Sequence, residues 1–356
     1  MFHLPNRSPL VKRGGASNVC TANVGETVSG AHPNRIFEIP LPLFFLVSFF
    51  LSFFINIPQS TIEMRCLVYR GPGASTRSVT STVESLRRAL ARHRQHTDFT
   101  VTTATPADLL SSDDEWEATT SLLAFPGGAD VPYCNSLGAV GMERVRRYVE
   151  SGGRYLGICA GAYFASGAVS FEPGTELEVV GERHLKFYRG VAAGAAYSGF
   201  DYESERGAVS APIRFVSSVG GSDWETCLDY VNGGPLWMMD DIDDTSVFRI
   251  NSVNHSRLEG VDILATYVDL KHAVAAMRCR VGRGVAVLCG SHPELHHSLI
   301  ADIDSGDDPV YAEHVQRLKE NLSEHEAGRK KLFDLCVDAA IQPQTKSDGF
   351  RSTQRM

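Results

Sequence analysis

From Met64 to Ile158 short apolar runs alternate with stretches of helical periodicity, and turns rich in glycine or proline punctuate the pattern. Cys66–Tyr69, Phe99–Thr103, Ser121–Phe125 and Tyr155–Ile158 have the length and composition of strands. Val79, Val83, Leu86 and Leu90 recur at helical spacing, and residues 140–149 read as a second helix stopped by Gly152 and Gly153. Strands alternating with helices require right-handed crossovers and a parallel sheet covered on both faces. The expected fold class is therefore α/β, with a doubly wound, mostly parallel sheet.

After Gly167 the pattern changes. Short β-like segments follow at Ala208–Phe215, Thr226–Val231, Ser246–Ile250, Ile263–Val268, Ala273–Cys279 and Val285–Cys289, separated by Gly, Asn and Asp. They predict an antiparallel elaboration that returns to the main sheet at Val285–Cys289. Residues 311–341 read as amphipathic helix, with Val315, Leu318, Leu322, Leu332, Leu335 and Val337 on the apolar side. The tail, 342–356, is polar and expected to be loose.

The N-terminal segment, residues 1–40, is polar and without periodicity, and is expected to be disordered. Residues 41–57 form an uncharged, Phe-rich run near the length of a transmembrane helix. Lys12, Arg13 and Arg35 precede it and would keep the N-terminus cytosolic. Two readings stand side by side. Either this is a single-pass membrane anchor, or a complete cytoplasmic protein starts at Met64, just before the first core strand, and the preceding residues are foreign to it. In both cases the domain is expected over residues 64–341.

Composition narrows the function. The net charge of −8 argues against a nucleic-acid partner. Eight cysteines in 356 residues are too sparse for a disulfide scaffold, and no C-x-x-C pair suggests zinc. Asp240, Asp241, Asp243 and Asp244 lack calcium-loop spacing and read as a solvated acidic loop. No metal and no cofactor is expected. Asn254 and Asn321 begin glycosylation sequons, meaningful only in a secretory lumen.

Three motifs carry chemistry. Gly157-Ile158-Cys159-Ala160-Gly161 joins a strand to a helical segment, Ala160–Ser166, as a nucleophile elbow does. Its small residues suit a tight turn, and helix amides aimed at Cys159 favour the thiolate. Taken alone, the string more often marks a buried cysteine in a glycine-rich turn. Pro126-Gly127-Gly128 ends the preceding strand. Parallel strand ends share a crevice, so the amides of Gly127, Gly128 and Ala160 are candidate oxyanion donors. Gly290-Ser291-His292-Pro293-Glu294 follows the last apolar run. His292 is placed to act as base, with Glu294 to orient it. Gly71, Gly73, Asn232 and Gly233 are candidates to line the same crevice.

PGG, then G-x-C-x-G, then a late strand with HPE resembles the class I glutamine amidotransferases, whose sheet is flavodoxin-like. The segments VYRGPGAS, FPGGADVPYC, GGRYLGICAGAYFASG, VNGGP and GSHPE resemble more closely the N-terminal domain of fungal biotin–protein ligases. The resemblance spans Met64 to Glu294 and implies Cys159 as nucleophile, His292 as base and Glu294 as orienting acid. Two departures stand out. Tyr163 occupies the position of a glutamine in glutaminases of this class, so glutamine is not the expected substrate. The ligase catalytic domain is missing, so the chain is not expected to attach biotin by itself.

The expected function is a cysteine-dependent hydrolase or amidotransferase-like protein acting on a small amide-type substrate. A non-catalytic binding or regulatory module that keeps the pocket, and a redox sensor using Cys159, are the alternatives. A small-molecule substrate is the expected partner, and no protein partner is specified.

Overall fold

A computed structural model describes residues 62–93, 97–113, 115–237, 260–296 and 308–342. Two sheets organise them. The larger has nine strands in the order β2-β1-β3-β4-β12-β11-β10-β8-β9, and the smaller has three, β6-β5-β7. In the larger sheet, β1 (Ile62–Tyr69), β2 (Thr97–Ala104), β3 (Thr120–Phe125), β4 (Arg154–Ile158) and β12 (Gly284–Cys289) run parallel. From β12 outward, β11 (Val274–Val281), β10 (Val261–Tyr267), β8 (Val209–Val216) and β9 (Trp224–Val231) pair antiparallel.

The inner parallel strands β3, β4 and β12 are buried on both faces because helices cover both, whereas the edge strand β2 exposes Thr100, Thr102 and Thr103. Alternation along β1 divides its side chains between two cores. Cys66 and Val68 join the core that holds Leu332 and Phe333 of α7 (Glu326–Ile341) and Leu86 of α1 (Thr76–Ala91). Leu67 and Tyr69 face the other core. It is built from α2 (Pro106–Leu110), α3 (Trp116–Thr119), α4 (Asp130–Glu150) and α5 (Ala160–Phe164). The helix before α7, α6 (Pro309–Glu324), packs Leu318 and Leu322 on Tyr230 and Leu295.

Three local features depart from the sequence expectation. The expected helix over 311–341 is two helices, because His325 leaves helical geometry between α6 and α7. The helix expected from residue 140 begins at Asp130. Gly138, at φ 58° and ψ −175°, kinks it and breaks its periodicity. The segment behind Cys159 is helical only to Phe164, and Ser166 already opens β5 (Ser166–Phe171). That strand pairs with β6 (Val179–Glu182) and β7 (Tyr188–Gly194), a sheet absent from the sequence reading.

The expectation of a membrane-crossing helix is corrected. No helix among the described residues is long and apolar enough to cross a membrane, and the membrane assignment is dropped. The segment 41–57 on which it rested lies outside the described residues. So do residues 1–40, the strand expected at 246–250, Asp240–Asp244, the Asn254 sequon and the tail from 343.

Candidate active site

The carboxyl ends of β3, β4 and β12 meet at one crevice, where parallel α/β sheets place their ligands. Cys159 sits between β4 and α5 at φ 48° and ψ −104°, a conformation rare for a side-chain-bearing residue. The flanking glycines are sterically required. A Cβ on Gly157 would meet the Gly161 carbonyl oxygen at 2.5 Å, and one on Gly161 would meet that of Phe125 at 2.0 Å. The turn is pinned by Cys159 N–H donating to the Cys289 carbonyl at 2.8 Å. The Cys159 carbonyl in turn accepts from Ala162 and Tyr163 at 2.9 and 3.0 Å.

His292 leaves the end of β12, and its N–H donates to the Tyr230 carbonyl at 2.8 Å. Its Nδ1 lies 2.9 Å from Glu294 Oε1. Glu294 is fully buried, and the same oxygen accepts from Ser78 Oγ at 2.8 Å. Ser78 Oγ in turn accepts from the Gly127 N–H at 2.8 Å. A hydrogen-bonded chain thus runs from the end of β3, through α1, to the imidazole. Burial opposes charge on His292. The Glu294 carboxylate, hydrogen-bonded to the ring, and the neighbouring Cys159 outweigh it and raise its pKa well above 6.5.

Beneath this loop Arg329 is fully buried. Its Nε donates to Asp229 Oδ1 at 2.9 Å, and its Nη2 to the carbonyls of His292 (3.2 Å) and Leu295 (2.8 Å). The HPE loop is therefore held from below by α7. Neither Ser78 nor Arg329 was singled out from sequence. Ser78 did leave a signal: with Ser81 and Thr82 it puts polar groups on the buried face of α1.

The candidate oxyanion amides separate. Gly128, at φ 144°, and Ala160, the first residue of α5, have N–H groups without an acceptor among the described residues. The Gly127 N–H departs from the expectation, being committed to Ser78. Gly127 matters instead sterically, since a Cβ there would lie 2.3 Å from His292 Cε1.

A cleft of about 400 Å³ opens beside Cys159, lined among others by Gly73, Arg77, Gly128, Asn232 and His292. A second cavity of about 30 Å³ adjoins it, between Asp130, Cys159, Tyr163, Phe171, Phe200 and Gly233. The Tyr163 hydroxyl donates to the Gly233 carbonyl at 3.0 Å, and its ring meets Phe171 edge-on at 5.8 Å. Gly71 does not line either space and packs against Pro106. A larger cavity of about 740 Å³ contains neither Cys159 nor His292. Much of its ionic lining is mutually paired, as in Arg146 with Glu143 and Glu150, and Lys186 with Glu182. Among the described residues no group of three or more His, Cys, Asp or Glu is placed to hold a metal ion.

The pattern of the family described as biotin-protein ligase, N terminal, matches residues 64–352. The chain belongs to that family. The biotin–protein ligase of Schizosaccharomyces pombe is 35% identical over 234 residues, which cover 65% of this chain and 33% of that protein. The chain thus spans about a third of the length of that ligase. An uncharacterized protein of Chlamydia muridarum is 34% identical over 276 residues, 77% of this chain and 93% of its own. A solved glutamine amidotransferase aligns with a TM-score of 0.35 at 17% identity, covering 67% of this chain and 93% of that one. The match for the biotin–protein ligase N-terminal family takes in the elbow, the Gly127-Gly128 turn and the HPE loop together.

Proposed function

We propose that this family member is a cysteine-dependent hydrolase or amidotransferase-like enzyme acting on a small amide-type substrate in the cleft beside Cys159. The supporting observation is the His292 ring, hydrogen-bonded to Glu294 at 2.9 Å and lining the same cleft as Cys159. A ring so held favours an imidazolium next to the sulfur.

In the proposed reaction the Cys159 sulfur attacks the carbonyl carbon, and the carbonyl oxygen takes the negative charge facing the Gly128 and Ala160 amides. The His292 imidazolium gives its proton to the departing nitrogen as the C–N bond breaks, leaving a thioester. Water then loses a proton to the neutral imidazole and attacks the thioester. The C–S bond breaks, the acid departs and Cys159 is regenerated. Glu294 holds the ring in the tautomer this sequence needs. The biotin transfer named for the yeast relative is not part of this proposal.

The test is labelling of Cys159 with a carbonyl-directed electrophile, followed by a screen of small amides against wild type and Cys159→Ala. Turnover of an amide that is lost in the variant supports the proposal, and a labelled protein that turns over none contradicts it. That second result is the one a binding module would give. The narrowness of the Tyr163 cavity, about 30 Å³, favours this alternative.

A further inference from the structure

One carboxamide in the cleft has its orientation dictated by its neighbours. Asn232 follows β9, and its Nδ2 donates to Glu205 Oε2 at 3.4 Å. Glu205 is buried, and its carboxylate also accepts from Arg77 Nη2 at 2.6 Å and from the Tyr230 hydroxyl. A carboxylate only accepts, so the NH2 end of Asn232 must face it. Flipping the amide would set two oxygens against each other. Asn232 Oδ1 is therefore turned away from Glu205. It is buried and has no donor among the described residues. A buried acceptor without a donor is costly, and a ligand N–H relieves that cost. The backbone oxygen of the same residue lies 4.0 Å from Cys159 Sγ. Asn232 lines both spaces that meet at the sulfur.

We infer that Asn232 is a specificity-determining residue, whose Oδ1 accepts a hydrogen bond from an amide N–H on, or one bond away from, the carbon that Cys159 attacks. This rests on the function proposed above and narrows it: the substrate is a primary amide or a related N–H compound, not an ester. Glu205, with Arg77 and Tyr230, positions the carboxamide and does not touch the substrate nitrogen.

Two isosteric alkylating reagents test this on the full chain. Chloroacetamide carries NH2 where chloroacetone carries CH3. In both, the sulfur forms a bond to carbon and chloride leaves. Rates at Cys159, read by peptide mass mapping, are each divided by the rate with glutathione. Wild type is expected to favour chloroacetamide by roughly five-fold on this scale, the worth of one neutral hydrogen bond. Asn232→Leu is expected to abolish the preference. A wild-type ratio equal to that of glutathione overturns the inference, and so does a preference that survives in Asn232→Leu. The wild-type arm stands even where the variant folds poorly. Cys159 inert to both reagents while glutathione reacts overturns the nucleophile proposal itself, and this inference with it.

Discussion

Ser78 and Glu294 are 216 residues apart in sequence, yet Ser78 Oγ donates to Glu294 Oε1 at 2.8 Å inside the protein. The same oxygen faces His292 Nδ1, and Ser78 itself is held by the Gly127 N–H. Helix α1 thus connects the turn after β3 to the loop after β12, and it fixes the imidazole relative to the cysteine. Ser78→Ala removes one hydrogen bond to a buried carboxylate and strands the Gly127 amide. The expected cost is about 1.5–3 kcal/mol of folding stability, the range for hydrogen bonds to charged groups. Urea unfolding measures it, and a variant as stable as wild type would show that the link carries no weight.

Gly127→Ala should act through geometry. The new Cβ would sit 2.3 Å from His292 Cε1, so the ring must move. A displacement of this size at a reacting group costs roughly a hundred-fold in rate. The expected outcome is a folded protein whose amide turnover, or Cys159 labelling at pH 6, falls toward that of His292→Ala. Unchanged reactivity would mean that the ring position is not critical.

Stability should carry a pH signature. The folded His292 pKa is raised well above 6.5, so protonation of the ring favours the folded state. This contribution is fully present below about 6.5, the unfolded pKa, and is lost as pH rises through the folded pKa. The difference in melting temperature between wild type and His292→Gln should therefore be largest near pH 6 and shrink on the alkaline side. A difference that grows with pH would contradict the raised pKa.

Tyr163 lines the smaller cavity beside Cys159, and we expect it to exclude a glutamine side chain. Its ring and hydroxyl border a cavity of about 30 Å³. Wild type is expected to show little glutamine hydrolysis in a steady-state ammonia assay, and Tyr163→Ala should enlarge the space it accepts. Robust glutamine hydrolysis by wild type, abolished by Cys159→Ala, would show that Tyr163 does not exclude it.

The parallel half of the sheet was legible because β1, β3, β4 and β12 carry continuous apolar runs between glycine-rich turns. Cys159, His292 and Glu294 were legible because their motifs follow those strands directly. What escaped was set by tertiary contact. Arg329 looks like an exposed helix residue until Asp229 and two carbonyls close on it. The expectation for Gly127 assigned its N–H to a ligand, and only folding brings Ser78 to that amide. Strands β5 to β7 are short and glycine-rich, with alternation too weak to register. Gly138 hid the first turns of α4 by interrupting its period.

The most direct measurement is the rate at which iodoacetamide alkylates Cys159 at pH 6, in wild type and in His292→Ala. An unassisted cysteine, with a pKa of about 8.5, is almost entirely thiol at that pH and reacts slowly. Wild type is expected to react at least roughly ten-fold faster than glutathione at pH 6, and His292→Ala to fall to the glutathione rate. A wild-type rate no greater than that of glutathione, unchanged in His292→Ala, would contradict that expectation.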